Sequence, residues 1–318
     1  MAQPTNTFDS YDAVGNREDL SDIIYNLSPT ATPFLTMASK AKAKNTYHEW
    51  QTDALAAAGP NAVIEGDDAT LDATQPTSRV GNYTQISDKT VVVSGTQEAT
   101  DKAGRKSELS YQLAKKAKEL KRDMEYVLTG NQASAAGNST TARTTGSVEA
   151  WLTSNVSRGT GGTSGGFSGG TVAAAADGTQ RAFTETLLKT VIQSCWQNGG
   201  DPSTILVGPK NKAAASAFTG IATQYRDNKE ARPATIIAAA DVYVSDFGEH
   251  RIVASRFSRD RSALVLDMEY WGVAYLRPFQ QNELAKTGDS VKYQLLAEYA
   301  LVAKQQASSG VVADLTTP

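Results

Sequence analysis

Two spacings of apolar residues run through this chain, and each predicts a different element. Between residues 100 and 130, Leu109, Leu113, Ala117, Leu120, Met124 and Val127 recur at steps of three and four, which places them on one face of an α-helix. The opposite face is charged: Lys106, Glu108, Lys115, Lys116, Lys118, Glu119, Lys121, Arg122, Asp123 and Glu125. Thr100 or Ser107 offers an N-cap, Gly104 weakens the first turn, and Gly130 with Asn131 supplies a stop. Roughly 25 to 30 helical residues reach about 40 Å, enough to span a molecule of this size. Over 290–304 the period changes to two. Val291, Tyr293, Leu295, Ala297, Tyr299, Leu301 and Ala303 alternate with Lys292, Gln294, Glu298 and Lys304, the strongest strand signal in the chain.

Weaker patterns fill in the remainder. Leu187, Leu188, Val191, Ile192, Cys195 and Trp196 form a helical stripe that stops at Gly199–Gly200. A short buried strand is expected at 204–207, followed by a helix opened by Pro209 at its first position. Strands are predicted at 235–244, 251–255, 263–266, 270–276 and 311–315. Upstream, 46–51 and 83–94 have strand composition and are separated by a polar stretch carrying Asp67, Asp68 and Asp72. Two strands joined over so many residues predict a long protruding hairpin, because compact domains seldom keep a structureless loop of that length. Residues 1–40 read as an arm with one amphipathic helix at 18–27, its apolar side formed by Leu20, Ile23, Ile24 and Leu27. The run GTGGTSGGFSGG (159–170) is low-complexity and is expected to be flexible and dispensable for folding.

Composition removes several function classes. Among 318 residues the net charge is −3 and the pI about 5.6, unsuited to gripping nucleic acid by bulk electrostatics. Charge is unevenly placed. Residues 1–39 hold five acids against Arg17, and 53–88 hold six against Arg79, whereas 101–125 hold eight bases against five acids. The acidic segments of one subunit are therefore expected near the basic helix of a neighbour. Cys195 is the only cysteine, and His48 and His250 are the only histidines, so no metal site or other cofactor is expected. No signal-peptide pattern or membrane-length apolar run is present, and no membrane partner is expected.

Two G-x-S-x-G matches surround Ser164 and Ser168, with Asp201 and His250 downstream in the order used by α/β-hydrolases. That chemistry needs a strained strand-to-helix elbow, and neither serine follows a strand, so chance in a glycine tract is the simpler reading. Asp67, Asp68 and Asp72 read as a solvated acidic loop, His48 beside Trp50 as a packed histidine, and Cys195 as a core thiol. Catalytic residues are not expected.

Several stretches, taken in order, resemble the SU10-like family of tailed-bacteriophage major capsid proteins. They are TPFLTMASKAKAKNTYHEWQTDAL (32–55), NYTQISDKTVVVSGT (82–96), ELKRDMEYVLTGN (119–131), DVYVSDFG (241–248) and LRPFQQNELAKTGDSVKYQLLAEYAL (276–301). The resemblance implies an α+β chain of the Hong Kong 97-type capsid fold. It implies an N-terminal arm over 1–43, an E-loop with its stems over 44–95, and a peripheral domain over 96–203 that holds the spine helix and the Gly/Ser-rich loop. An axial domain would follow over 204–262, with returning peripheral strands over 263–318. The implied function is a head protein that self-assembles as hexamers and pentamers into an icosahedral shell around double-stranded DNA, held without sequence specificity. Portal, scaffold or decoration proteins are further partners implied by the resemblance. The implied location is the virion, made and assembled in the bacterial host cytoplasm. An encapsulin-like compartment is the alternative with the same fold, and a serine hydrolase the alternative outside it. Residues expected at subunit interfaces are Ile23, Ile24, Phe34, Trp50, Asp67, Asp68, Lys115, Lys116 and Arg122.

Overall fold

The computed structural model describes residues 29–68, 71–218 and 241–317. Ile23, Ile24 and the helix expected at 18–27 lie outside them. In chain order the first elements are α1 (Pro33–Met37), β1 (Ser39–Lys42), β2 (Tyr47–Thr52), β3 (Ser78–Tyr83), β4 (Gln85–Ser94), α2 (Gly95–Ala99) and α3 (Glu108–Thr129). Then come α4 (Val148–Trp151), β5 (Asn155–Ser157), β6 (Gly166–Ser168), β7 (Thr171–Ala173), α5 (Glu185–Gln197), β8 (Thr204–Val207) and α6 (Pro209–Ser216). The last are β9 (Val242–Ser245), β10 (Gly248–Ala254), β11 (Ala263–Leu266), β12 (Trp271–Glu283), β13 (Ser290–Ala303) and β14 (Gly310–Val312).

The long helix starts later than the sequence pattern predicts. Gly104 takes φ +74°, which breaks the helical path, and Ser107 accepts the Ser110 N–H as the N-cap. The Glu98 carboxylate takes two more orphan donors, the N–H groups of Glu108 (3.0 Å) and Leu109 (3.2 Å). What remains is 22 residues, about 33 Å, with Leu120, Met124 and Leu128 fully buried at steps of four. Two acids counted on its charged side, Glu108 and Glu125, are buried as well.

α3 packs across a four-stranded sheet ordered β1-β12-β13-β4. Alternation along β4 turns Val91 and Val93 inward and leaves Ile86 and Val92 exposed. β12 slips register twice between Tyr275 and Gln280, around Pro278, which has no N–H to give the ladder. A six-stranded sheet, ordered β5-β14-β11-β8-β10-β9, lies beside this layer. Its central strands β8 and β11 are buried on both faces because the sheet is a wall between two cores. Leu206, Leu264 and Leu266 join the core containing α3; Ile205, Val207, Ala263 and Val265 join the core under α5. Their continuous apolar runs follow from that position.

Three expectations change. The return strand of the hairpin is β3, paired with β2 from Tyr47↔Tyr83 to Thr52↔Ser78. The predicted strand 83–94 is split at Thr84, and β4 beyond it pairs with β13 instead. The six-stranded sheet takes β8, β9 and β10 from 204–262 and β5, β11 and β14 from outside that range. The Gly/Ser tract is packed, not loose. It forms the β6–β7 hairpin, and a Cβ on Gly165 would lie 1.9 Å from the Ala173 carbonyl oxygen. A Cβ on Gly159 would lie 2.0 Å from that of Thr179. These glycines are present because two backbones touch there.

Candidate assembly interface

The hairpin leaves the body at a buried polar knot. Thr84, fully buried, donates its hydroxyl to Glu298 at 2.9 Å. Arg143 reaches the same carboxylate at 2.6 Å and Arg277 at 2.7 Å, so a nearly buried charge is met by two guanidinium groups. Trp50 ties the strand down beside it. Its indole N–H donates to the Ala303 carbonyl (2.9 Å), and its ring tilts against Trp151 at 5.4 Å. Trp50 is therefore the half-buried root of the hairpin, with His48 packed against it at 5.9 Å. Burial lowers the His48 pKa below the ordinary imidazole value.

Beyond the root the chain stops packing. Every described residue from 53 to 79 is exposed. Leu55 and Leu71 are 99% and 98% exposed, and Val63 and Ile64 are 80% and 77%. Asp67 and Asp68 stand among them in the open. Four large apolar side chains left open on a strap that the described body touches only at its ends are a surface lacking its partner.

α1 locks the chain where it enters the body, against the same core that receives Trp50. The N–H groups of Phe34 and Leu35 each donate to Glu125 of α3 at 2.8 Å, so a carboxylate from the long helix caps the short one. Phe34 is fully buried in the core with Leu120, Met124 and Leu128. It belongs to the subunit's own interior, which corrects its expected place at an interface. An aromatic residue before an arm reads the same from sequence whether it anchors inward or outward. Burial, only partly offset by those two N–H bonds, raises the Glu125 pKa above the ordinary carboxylate value. A carboxylate raised on folding adds stability that is fully present below its unfolded pKa and is lost as pH rises through the folded one. Urea unfolding at pH 5 and pH 8 should therefore show wild type losing more stability with rising pH than Glu125→Gln; equal slopes would refute this.

Lys115, Lys118 and Arg122 share one side of α3, and none forms a direct ion pair among the described residues, although Lys115 acts electrostatically on Glu119. Lys116, also expected at an interface, pairs with Glu119 at 2.7 Å within the helix. Sequence reasoning missed the buried acids Glu125, Glu149 and Glu298. The only signal available for them was a carboxylate at a position whose neighbours are apolar.

The chemical alternatives find no geometry. Ser164 accepts from Arg158 at 3.3 Å. His250 is fully buried, with one ring nitrogen on the Pro202 carbonyl and the other 2.7 Å from Ser245. No hydrogen bond joins Ser164 or Ser168 to it. Burial pushes the Cys195 thiol up to about 12, far from a reactive thiolate. Among the described residues no cluster of His, Cys, Asp or Glu could hold a metal, and no helix is long and apolar enough to cross a membrane.

A subunit with a packed α+β body, a spanning helix and an unsupported strap is built like a component of a shell. Comparison with known proteins agrees. The family model described as SU10 major capsid protein matches residues 3–316, and the chain belongs to that family. The major capsid protein of Escherichia phage Phieco32 is 30% identical over 347 residues, covering 98% of this chain and 97% of that one. Among solved structures, a chain of the cyanophage A-1(L) capsid asymmetric unit superposes with a TM-score of 0.71 at 12% identity, over 97% of this chain and 99% of that one. A chain of Gordonia phage Cozz gives 0.63 at 13% identity, over 99% and 98%. An encapsulin from Synechococcus elongatus is more distant, at 0.54 and 11% identity over 95% and 92%. The fold is of the Hong Kong 97 type, and the chain is a major capsid protein, with the encapsulin a weaker structural likeness.

Proposed function

We propose that the subunit assembles as hexamers and pentamers into a closed icosahedral shell around double-stranded DNA, in the cytoplasm of a bacterial host. In this reading residues 1–43 are the arm, the β2–β3 hairpin with its connection is the E-loop, and α3 is the spine. The layer of α3 and the four-stranded sheet is the peripheral domain, and the six-stranded sheet holds the axial one. The observation that carries the proposal is the strap over 53–77, whose Leu55, Val63, Ile64 and Leu71 find no cover among the described residues. Covering four such side chains is worth about 1.5–3 kcal/mol each, and a neighbouring subunit would supply it. DNA would be enclosed without sequence readout, because a chain of net charge −3 offers no excess of cations to grip it. Portal, scaffold or decoration proteins would meet the assembled surface and not the single subunit. Electron microscopy of the protein expressed in bacteria should show closed shells. Only monomers under all salt conditions, with and without a scaffold protein, would refute the reading.

A further inference from the structure

We propose that the groove along α3 formed by Tyr111, Ala114, Lys115, Lys118 and Arg122 seats the acidic N-terminal segment of the same chain. Three observations meet there. The groove, 380 Å³ in volume, is lined in part by Thr30, the second described residue, so the point where the undescribed N-terminal segment joins the body lies beside it. Its cations outnumber its acids. Lys118 and Arg122 form no ion pair among the described residues, and the one acid present, Glu119, is paired with Lys116 and shared electrostatically with Lys115. Arg122 has its guanidinium carbon 5.3 Å from the Phe257 ring centroid, and its buried Nε lacks an acceptor. A buried guanidinium N–H without a partner marks a site that another group completes.

The departing segment has the complementary composition. Asp9, Asp12, Glu18, Asp19 and Asp22 face only Arg17 in charge. Reach is sufficient. Eight residues separate Asp22 from Thr30, about 26 Å if extended, whereas Lys115 to Arg122 spans only about 10 Å of helix. Tethering at Thr30 favours the chain's own segment over a free competitor, because the effective concentration at the groove is high. Seated there, the segment would neutralise the basic side of α3.

Arg17 provides the probe, as it is the only arginine before Arg79. An arginine-specific protease, applied to the unassembled full-length chain at low salt, should cut at Arg17 slowly. Lys115→Glu with Lys118→Glu, two exposed positions that leave the core intact, should speed that cut roughly fivefold, and high salt should do the same to wild type. Cleavage at Arg79, exposed at the base of the strap, should not change. Adding Asp19→Lys with Asp22→Lys to the reversed helix should slow the Arg17 cut again. Equal Arg17 cleavage in wild type and the helix variant would overturn the proposal, as would acceleration without recovery in the fourfold variant. If Arg17 cleavage is unchanged while the helix variant loses salt-sensitive retention of a DNA duplex, the groove is a phosphate seat and the proposal also fails. The cleavage is read on single subunits, so failure to form shells would count against the assembly reading alone.

Discussion

Glu149→Ala should lower the stability of the subunit by about 3–5 kcal/mol, the largest loss expected from any single substitution considered. Glu149 is fully buried in α4 and accepts from Ser262 at 2.6 Å, Arg259 at 3.2 Å and Arg158 at 3.3 Å. Arg259 keeps Asp177 if the glutamate is lost. Arg158 keeps no direct ion pair: its side chain is only 6% exposed, its Nη2 already lacks an acceptor, and Asp314 attracts it only from beyond ion-pair distance. Truncating Glu149 therefore strands a buried cation, which costs far more than the pair itself contributes. Glu149→Ala combined with Arg158→Met should recover part of the loss, since the stranded charge is gone. Urea unfolding of the two variants and wild type measures both effects. A loss below about 1 kcal/mol for Glu149→Ala would mean that water reaches Arg158 and supports it.

Replacing residues 53–77 by Asn-Gly should abolish closed shells while leaving the subunit folded. Thr52 and Ser78 face each other at the end of the β2–β3 ladder, so a two-residue turn can close the hairpin without altering register. Nothing inside the subunit depends on the strap apart from long contacts at its ends, such as Gln305 to the Asp53 carbonyl at 3.4 Å. Shortening a long loop also lowers its closure entropy, by about 0.6 kcal/mol per halving. Melting temperature should hold or rise while electron microscopy shows no closed particles. Normal shells from this variant would remove the strap from the assembly contacts.

Much of the architecture was legible from spacing. The alternation over 290–304 became β13 (Ser290–Ala303), the Pro209 start became α6, and the apolar run at 204–207 became a strand buried on both faces. In each case the determinant is local: a period, a ring that sets φ, or a short run of branched side chains. The expected interface residues divide by burial: Asp67, Asp68 and Lys115 are exposed in the single chain, Lys116 pairs with Glu119 one turn away, and Phe34 is buried in the subunit's own core.

The sequence by itself determined most of the longer helices and strands, that the chain carries an acidic arm, an acidic strap and a basic helix, and that no metal or thiol chemistry was to be expected. The tertiary structure alone decided which strands pair, because pairing depends on residues far apart in the chain. Thr84 could not be read as the point where the chain changes sheets. It is set there by Glu298, 214 residues away, with Arg143 and Arg277. The glycine tract is the sharpest case. Its composition permits disorder, but Gly159 and Gly178 donate their N–H groups to the fully buried Asp314, and Gly165 lies flat on Ala173. Lack of side chains makes a loop flexible in isolation and makes close backbone packing possible in a fold. Which of the two prevails depends on contacts that only the folded chain supplies.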